Sequence, residues 1–161
     1  LIILSLERKY YLVSGENYEP DVSDEHGRRG YCIVSEKSVT IVIPTFDGRL
    51  SKNDRLHRGR YGDSSIRQLK DSFITLIRAY GREFSGLDNL HVELIVYRPD
   101  KSWDAQNFGD IFWDMIAQAL NVNDRSFAST KVIPEYDPIY PRFEIILRQE
   151  QVTNTGFKGV D

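Results

Sequence analysis

Between His91 and Arg98 apolar and polar residues alternate. Val92, Leu94 and Val96 fall on one face, His91, Glu93 and Tyr97 mostly on the other, which is the period of a strand with one buried face. Pro99 stops it. Two stretches carry a helical period instead. Ile66, Leu69, Phe73, Leu76, Ile77 and Tyr80 form one stripe, with Ser64 or Ser65 placed to cap it and Gly81 to end it. Ile111, Phe112, Met115, Ile116, Ala119 and Leu120 form the other, on a helix from about Asn107 to Leu120. Val39 to Pro44 reads as a strand ended by its proline. Arg125 to Pro134 and Arg142 to Arg148 read as a hairpin joined by EYDPIYP, where Pro138 and Pro141 restrict the chain.

The resulting order is β-α-β-α-β-β, preceded by a β-rich extension. LIILSLE, KYYLVS and YCIVS read as short strands around the polar loop GENYEPDVSDEHGRRG. This predicts an α+β fold, two layers with a mixed β-sheet and two main helices. The divisions are an N-terminal β extension over residues 1–38, a main domain over 39–148 and a flexible tail over 149–161. His26 in the extension reads as a loop residue and Cys32 as a small core residue.

Composition narrows this picture. A chain of 161 residues favours one main domain, and 40% hydrophobic with 12% aromatic residues is enough for a buried core. The single cysteine excludes an intramolecular disulfide framework and a cysteine-rich zinc site. No apolar run approaches the ~18 residues of a membrane span, and the first residues lack the layout of a signal peptide, so a cytoplasmic location and no membrane partner are expected. The net charge of −3 is unlike that of a general nucleic-acid binder. Its distribution is uneven. Arg49 to Lys70 carries an excess of five positive charges, including Lys52, Arg55, Arg58 and Arg60, whereas Tyr97 to Asp137 is acidic. Cations suited to phosphates beside carboxylates suited to a metal are the two requirements of a metal-dependent nuclease.

The carboxylates concentrate around the second helix. Asp104 precedes it, Asp110 and Asp114 lie four apart on it and so share a face, and Asp124 follows it. A helix flanked by strands that folded its two ends onto one sheet edge would bring Asp104 and Asp124 together, and paired carboxylates of this kind hold Mg²⁺. Asp110 has a second explanation, since a carboxylate near a helix start gains from the macrodipole.

From Val39 to Arg148 the chain resembles the RusA family of Holliday-junction resolvases. Asp104-Ala105-Gln106-Asn107-Phe108 stands where the family has Asp-x-Asp-Asn-Leu, Asp114 where it has a helix Asp, and Asn123-Asp124 where it has an Asp-Asp pair. The chain departs from the pattern at Gln106, at Asp110, which takes a Lys position, and at Asn123. The resemblance implies a RusA-like fold, a homodimer, and Mg²⁺-dependent cleavage of four-way DNA junctions in recombination and repair. It implies Asp104 and Asp124 as metal ligands, with Asp110 or Asp114 replacing the missing carboxylate. Lys52, Arg55, Arg58, Arg60 and Lys101 would then meet DNA, some of them supplying the missing cation. The departures leave open a RusA-fold protein that binds branched DNA, or a protein partner, without cutting.

Overall fold

A computed structural model describes the backbone of residues 5–12, 32–52 and 63–154, and the side chains of 37–52 and 64–149. The strands are β1 (Ser5–Leu12), β2 (Cys32–Ile43), β3 (His91–Arg98), β4 (Ser129–Tyr136) and β5 (Arg142–Asn154). The helices are α1 (Asp63–Tyr80) and α2 (Gly109–Leu120). The chain divides into two compact units. Residues 39–148 belong to the first, and 6–38 with 149–161 to the second. β2 and β5 each run from one unit into the other without a break. YCIVS and Val39 to Pro44 are therefore one strand, and the expected tail begins as strand as far as Asn154.

The first unit is α+β, with a mixed four-stranded sheet in the order β2-β5-β3-β4 and two helices. β3 runs parallel to β4 and antiparallel to β5. In the second unit β1 neighbours β2, which neighbours β5. The expected hairpin of the last two strands is not formed, because β3 lies between them. Parallel neighbours need a crossover, and α2 supplies it between β3 and β4. The 137–141 loop then steps over the end of β3, where the Asp137 N–H donates to the Arg98 carbonyl at 3.0 Å. β4 also starts later than expected, at Ser129, because the Asn123 side chain caps a 3₁₀ turn over Asp124–Ser126. It continues past Pro134, a position that an edge strand tolerates.

The apolar stripes read from the sequence face one core. Val39, Ile41 and Ile43 of β2, Val92, Leu94 and Val96 of β3, and Phe143, Ile145 and Leu147 of β5 are buried against Phe73 and Ile77 of α1 and Phe112, Met115 and Ile116 of α2. At its centre the rings of Phe112 and Phe143 lie 4.7 Å apart. α1 begins at Asp63, ahead of the serines expected to cap it, and Ser65 instead accepts from Arg49 at 3.2 Å. α2 ends where Asn121 takes the left-handed conformation, φ 54°, and its N–H closes on the Ala117 and Gln118 carbonyls.

Candidate functional site

The acidic residues of the Tyr97 to Arg125 stretch are held by local hydrogen bonds that the sequence dictates. Asp104 caps the 3₁₀ turn Ala105–Phe108, accepting from the Gln106 N–H at 3.0 Å. This turn lies just past the C-terminal end of β3, tied there by Arg98, whose guanidinium donates to the Trp103 carbonyl at 2.9 Å. Asp124 lies in the 3₁₀ turn beyond the other end of α2. That turn is tied to the N-terminal end of β3, with Asn89 N–H on the Ser126 carbonyl and Ala128 N–H on the Leu90 carbonyl. Asp104 and Asp124 therefore stand at opposite ends of a twelve-residue helix, about 18 Å of rise. The expected metal pair does not assemble within the chain. The physical reason is the parallel crossover: α2 must carry the chain from one end of β3 back to the other before β4 can pair with it.

The structure brings other members of the set together. Asp114 and Asp124 line one open groove of about 460 Å³, with Ala117, Gln118, Asn121, Val122 and Asn123. Asp110 and Asp114 lie on the exposed side of α2, each beside a lysine. Lys52 Nζ is 3.6 Å from Asp110 and Lys70 Nζ is 3.4 Å from Asp114, which also accepts from Gln118 at 3.1 Å. Exposed pairs of this kind are each worth ~0–1 kcal/mol, enough to offset the like-charge repulsion between the two carboxylates. Lys52 thus places a cation beside Asp110, the position at which the resemblance expects a lysine. Among the described residues no group of three or more His, Cys, Asp or Glu side chains is placed to hold a metal ion. Asp114 and Asp124 line the same groove, but they are not the expected pair.

Lys101 is exposed, with its Nζ 5.2 Å from the centre of the Tyr136 ring. Arg55, Arg58 and Arg60, and His26, lie outside the described residues. Trp103 packs on Phe46 and Phe108, and Trp113 lies beside Gly109, so both tryptophans serve packing. His91 bonds Ser129 across β3 and β4 at 2.8 Å, and Glu93 pairs with Arg148 at 3.4 Å. Both contacts tie β3 to a neighbouring strand.

Sequence reasoning missed a cluster at the C-terminal end of β3. Asp137 accepts from the N–H groups of Ile139 and Tyr140 at 3.1 and 2.9 Å, folding the 137–141 loop onto its own side chain. Its second oxygen takes the Arg142 guanidinium at 3.0 Å. Arg142 is in turn stacked on Tyr97, 3.6 Å from the ring centre, and lies over Tyr140 at 4.7 Å. The signal was present as Asp-Pro-x-Tyr-Pro-Arg, an Asx-turn sequence followed by a guanidinium. Burial, followed by a hydrogen bond to Glu144, raises the Tyr97 hydroxyl above its usual pKa. The Tyr140 N–H first, then Arg142 and the Ile139 N–H, hold the Asp137 carboxyl below the usual carboxylate value. A depressed folded-state value means stability that is present above the unfolded pKa and lost as pH falls through the folded one. Asp137→Asn should therefore flatten the acid limb of the stability profile below about pH 4 and leave the limb above pH 7 parallel to wild type. Thermal melts from pH 2 to 8 check this, and an unchanged acid limb would remove Asp137 from the account.

Among the described residues no helix is long and apolar enough to cross a membrane. Compared with protein-family models and with curated protein sequences, the chain matches none.

Proposed function

We propose that residues 39–148 form a RusA-like module that engages four-way DNA junctions as a homodimer, and that one protomer by itself binds without cutting. The resemblance from Val39 to Arg148 and the basic Arg49 to Lys70 stretch support DNA as the partner. A homodimer suits a four-way junction because a two-fold axis presents the same surface to both symmetric strands. The observation that carries the non-cutting reading is the placement of Asp104 and Asp124 at opposite ends of α2. Gln106 adds to it. Its amide donates to the Val132 carbonyl at 3.4 Å and supplies no negative ligand beside Asp104.

A second reading is Mg²⁺-dependent resolution of Holliday junctions in recombination and repair. It is favoured by the groove that Asp114 and Asp124 share. In this reading the metal would supply an activated water and offset charge on the phosphate, and those two carboxylates would be its ligands in place of Asp104.

A synthetic four-way junction distinguishes the two. Nicking with Mg²⁺, abolished by Asp124→Asn and Asp114→Asn but retained by Asp104→Asn, supports cutting at the groove. A gel shift in Ca²⁺ with no nicking in Mg²⁺ supports the binding module, and neither result would end both readings. The double change Gln106→Asp, Asp110→Lys makes the motif resemble the family more closely. Its expected outcome is a folded protein that still does not nick. The added carboxylate lies at the end of α2 remote from Asp124, and the added lysine replaces the partner of Lys52 with a like charge. Vigorous nicking by this variant would overturn the geometric account.

A further inference from the structure

We propose that the free edge of β4 is a self-complementary pairing surface for a second copy of this chain, and that Gln106 and Pro134 hold it closed. Among the described residues β4 has one neighbour, β3, so its other edge is open. Six of its eight residues are exposed. Its sequence, STKVIPEY, is rich in the β-branched and aromatic residues that favour strands. An open edge of this kind is a template for another strand, and natural sheets blunt such edges with proline, charge or a covering segment.

The backbone shows which groups face outward. Along an edge strand alternate residues turn both N–H and C=O away from the neighbouring strand. The Val132 carbonyl faces outward: it accepts from the Gln106 side-chain amide at 3.4 Å, and Gln106 belongs to the 3₁₀ turn beside β4, not to the sheet. Thr130, Pro134 and Tyr136 share its orientation by alternation. Pro134 suits that position, since it has no N–H to offer β3. Two copies related by a two-fold axis could then join β4 to β4 in antiparallel fashion. In the register centred on Ile133, Lys131 of each copy stands opposite Glu135 of the other, Ile133 opposite Ile133, and Thr130 opposite Tyr136. Opposite charges and pairs of β-branched or aromatic residues are favourable cross-strand combinations.

The same register sets Val132 against Pro134. Such a pair ordinarily exchanges two N–H···O bonds. One of the two needs a donor at position 134 and the Val132 carbonyl as acceptor. Proline removes the donor, and Gln106 already occupies the acceptor. The bond is thus blocked from both sides, and the two-fold axis repeats the loss. The edge is complementary in its side chains and closed in its backbone, so a homodimer of this chain forms away from β4. Gln106, where the resemblance expects a carboxylate, serves the edge of the sheet.

Sedimentation velocity of the full chain over a wide concentration range tests this, with hydrogen exchange of residues 129–136 followed at the same concentrations. Wild type should show no concentration-dependent protection of that strand. The double change Gln106→Ala, Pro134→Val should associate beyond the wild-type state at a concentration about tenfold lower or less, the scale of two recovered backbone hydrogen bonds, and should protect residues 129–136 as it does so. Adding Lys131→Glu, which sets two carboxylates face to face, should reverse the association, and adding Glu135→Lys to that variant should restore it. All four positions are exposed, so the melts should change little. None of these measurements depends on junction binding, so the closed edge and the DNA reading are tested separately. Three results would overturn the proposal: a double variant that sediments as wild type does, association that survives Lys131→Glu undiminished, or protection of residues 129–136 in concentrated wild type.

Discussion

Replacing Phe143 by Ala should lower the unfolding free energy by about 3–5 kcal/mol, the range for deleting a buried aromatic ring. Phe143 is fully buried. Its ring lies 4.7 Å from that of Phe112, 5.3 Å from Phe46 and 5.4 Å from Phe108, so it joins the sheet, α2, the turn that Asp104 caps and the segment that leads to Lys52. β5 is flanked by β2 and β3, which leaves no edge able to collapse into the cavity. Domains of this size are stable by only ~5–15 kcal/mol, so the variant should sit close to unfolding. Phe143→Leu keeps most of the volume and should cost roughly half as much or less. Urea unfolding of the three proteins at 25 °C provides the check. The midpoint should move while the slope stays constant, and a loss below 1 kcal/mol for the alanine variant would mean that the aromatic cluster does not centre on Phe143.

Gly48→Ala should cost about 1–3 kcal/mol by overpacking, a large effect for adding one methyl group. A Cβ at Gly48 would meet the outer atoms of the Trp103 indole, 2.8 Å from Cζ2 and closer still to Cη2. The indole cannot retreat freely, since Phe46 and Phe108 pack against it at 5.5 and 6.2 Å. Moving it displaces Asp104, the next residue, together with the 3₁₀ turn that Asp104 caps. In a Trp113→Phe background the fluorescence of Trp103 reports this directly and should shift to the red. Trp103→Phe should recover part of the loss in a double-mutant cycle, because the smaller ring makes room for the methyl. Strictly additive effects of the two changes would show that the close approach is not the cause. Both predictions concern how the Asp104 turn is held, and neither depends on which reading of function is correct.

The helical stripes of α1 and α2 and the alternation of β3 were legible because burial acts residue by residue with a fixed period. Ile77, Phe112 and Val96 face the core as their spacing requires. Strand partners were not legible. EYDPIYP reads locally as a hairpin connection, yet β3 lies between β4 and β5, since pairing depends on which edges meet and not on the turn sequence alone. The candidate site failed for the same reason. The sequence placed a carboxylate at each end of a helix, but whether those ends approach one another is decided by whether the flanking strands are parallel. They are parallel, and the crossover holds Asp104 and Asp124 apart while bringing Asp114 and Asp124 to one groove. The lysines that neutralise α2 come from 44 and 58 positions away along the chain, a distance that no local pattern spans. The sequence by itself determined the residue types, the elements and the faces they bury. The tertiary structure alone decided which charged side chains meet, because that depends on strand order and direction, which follow from the packing of the whole sheet.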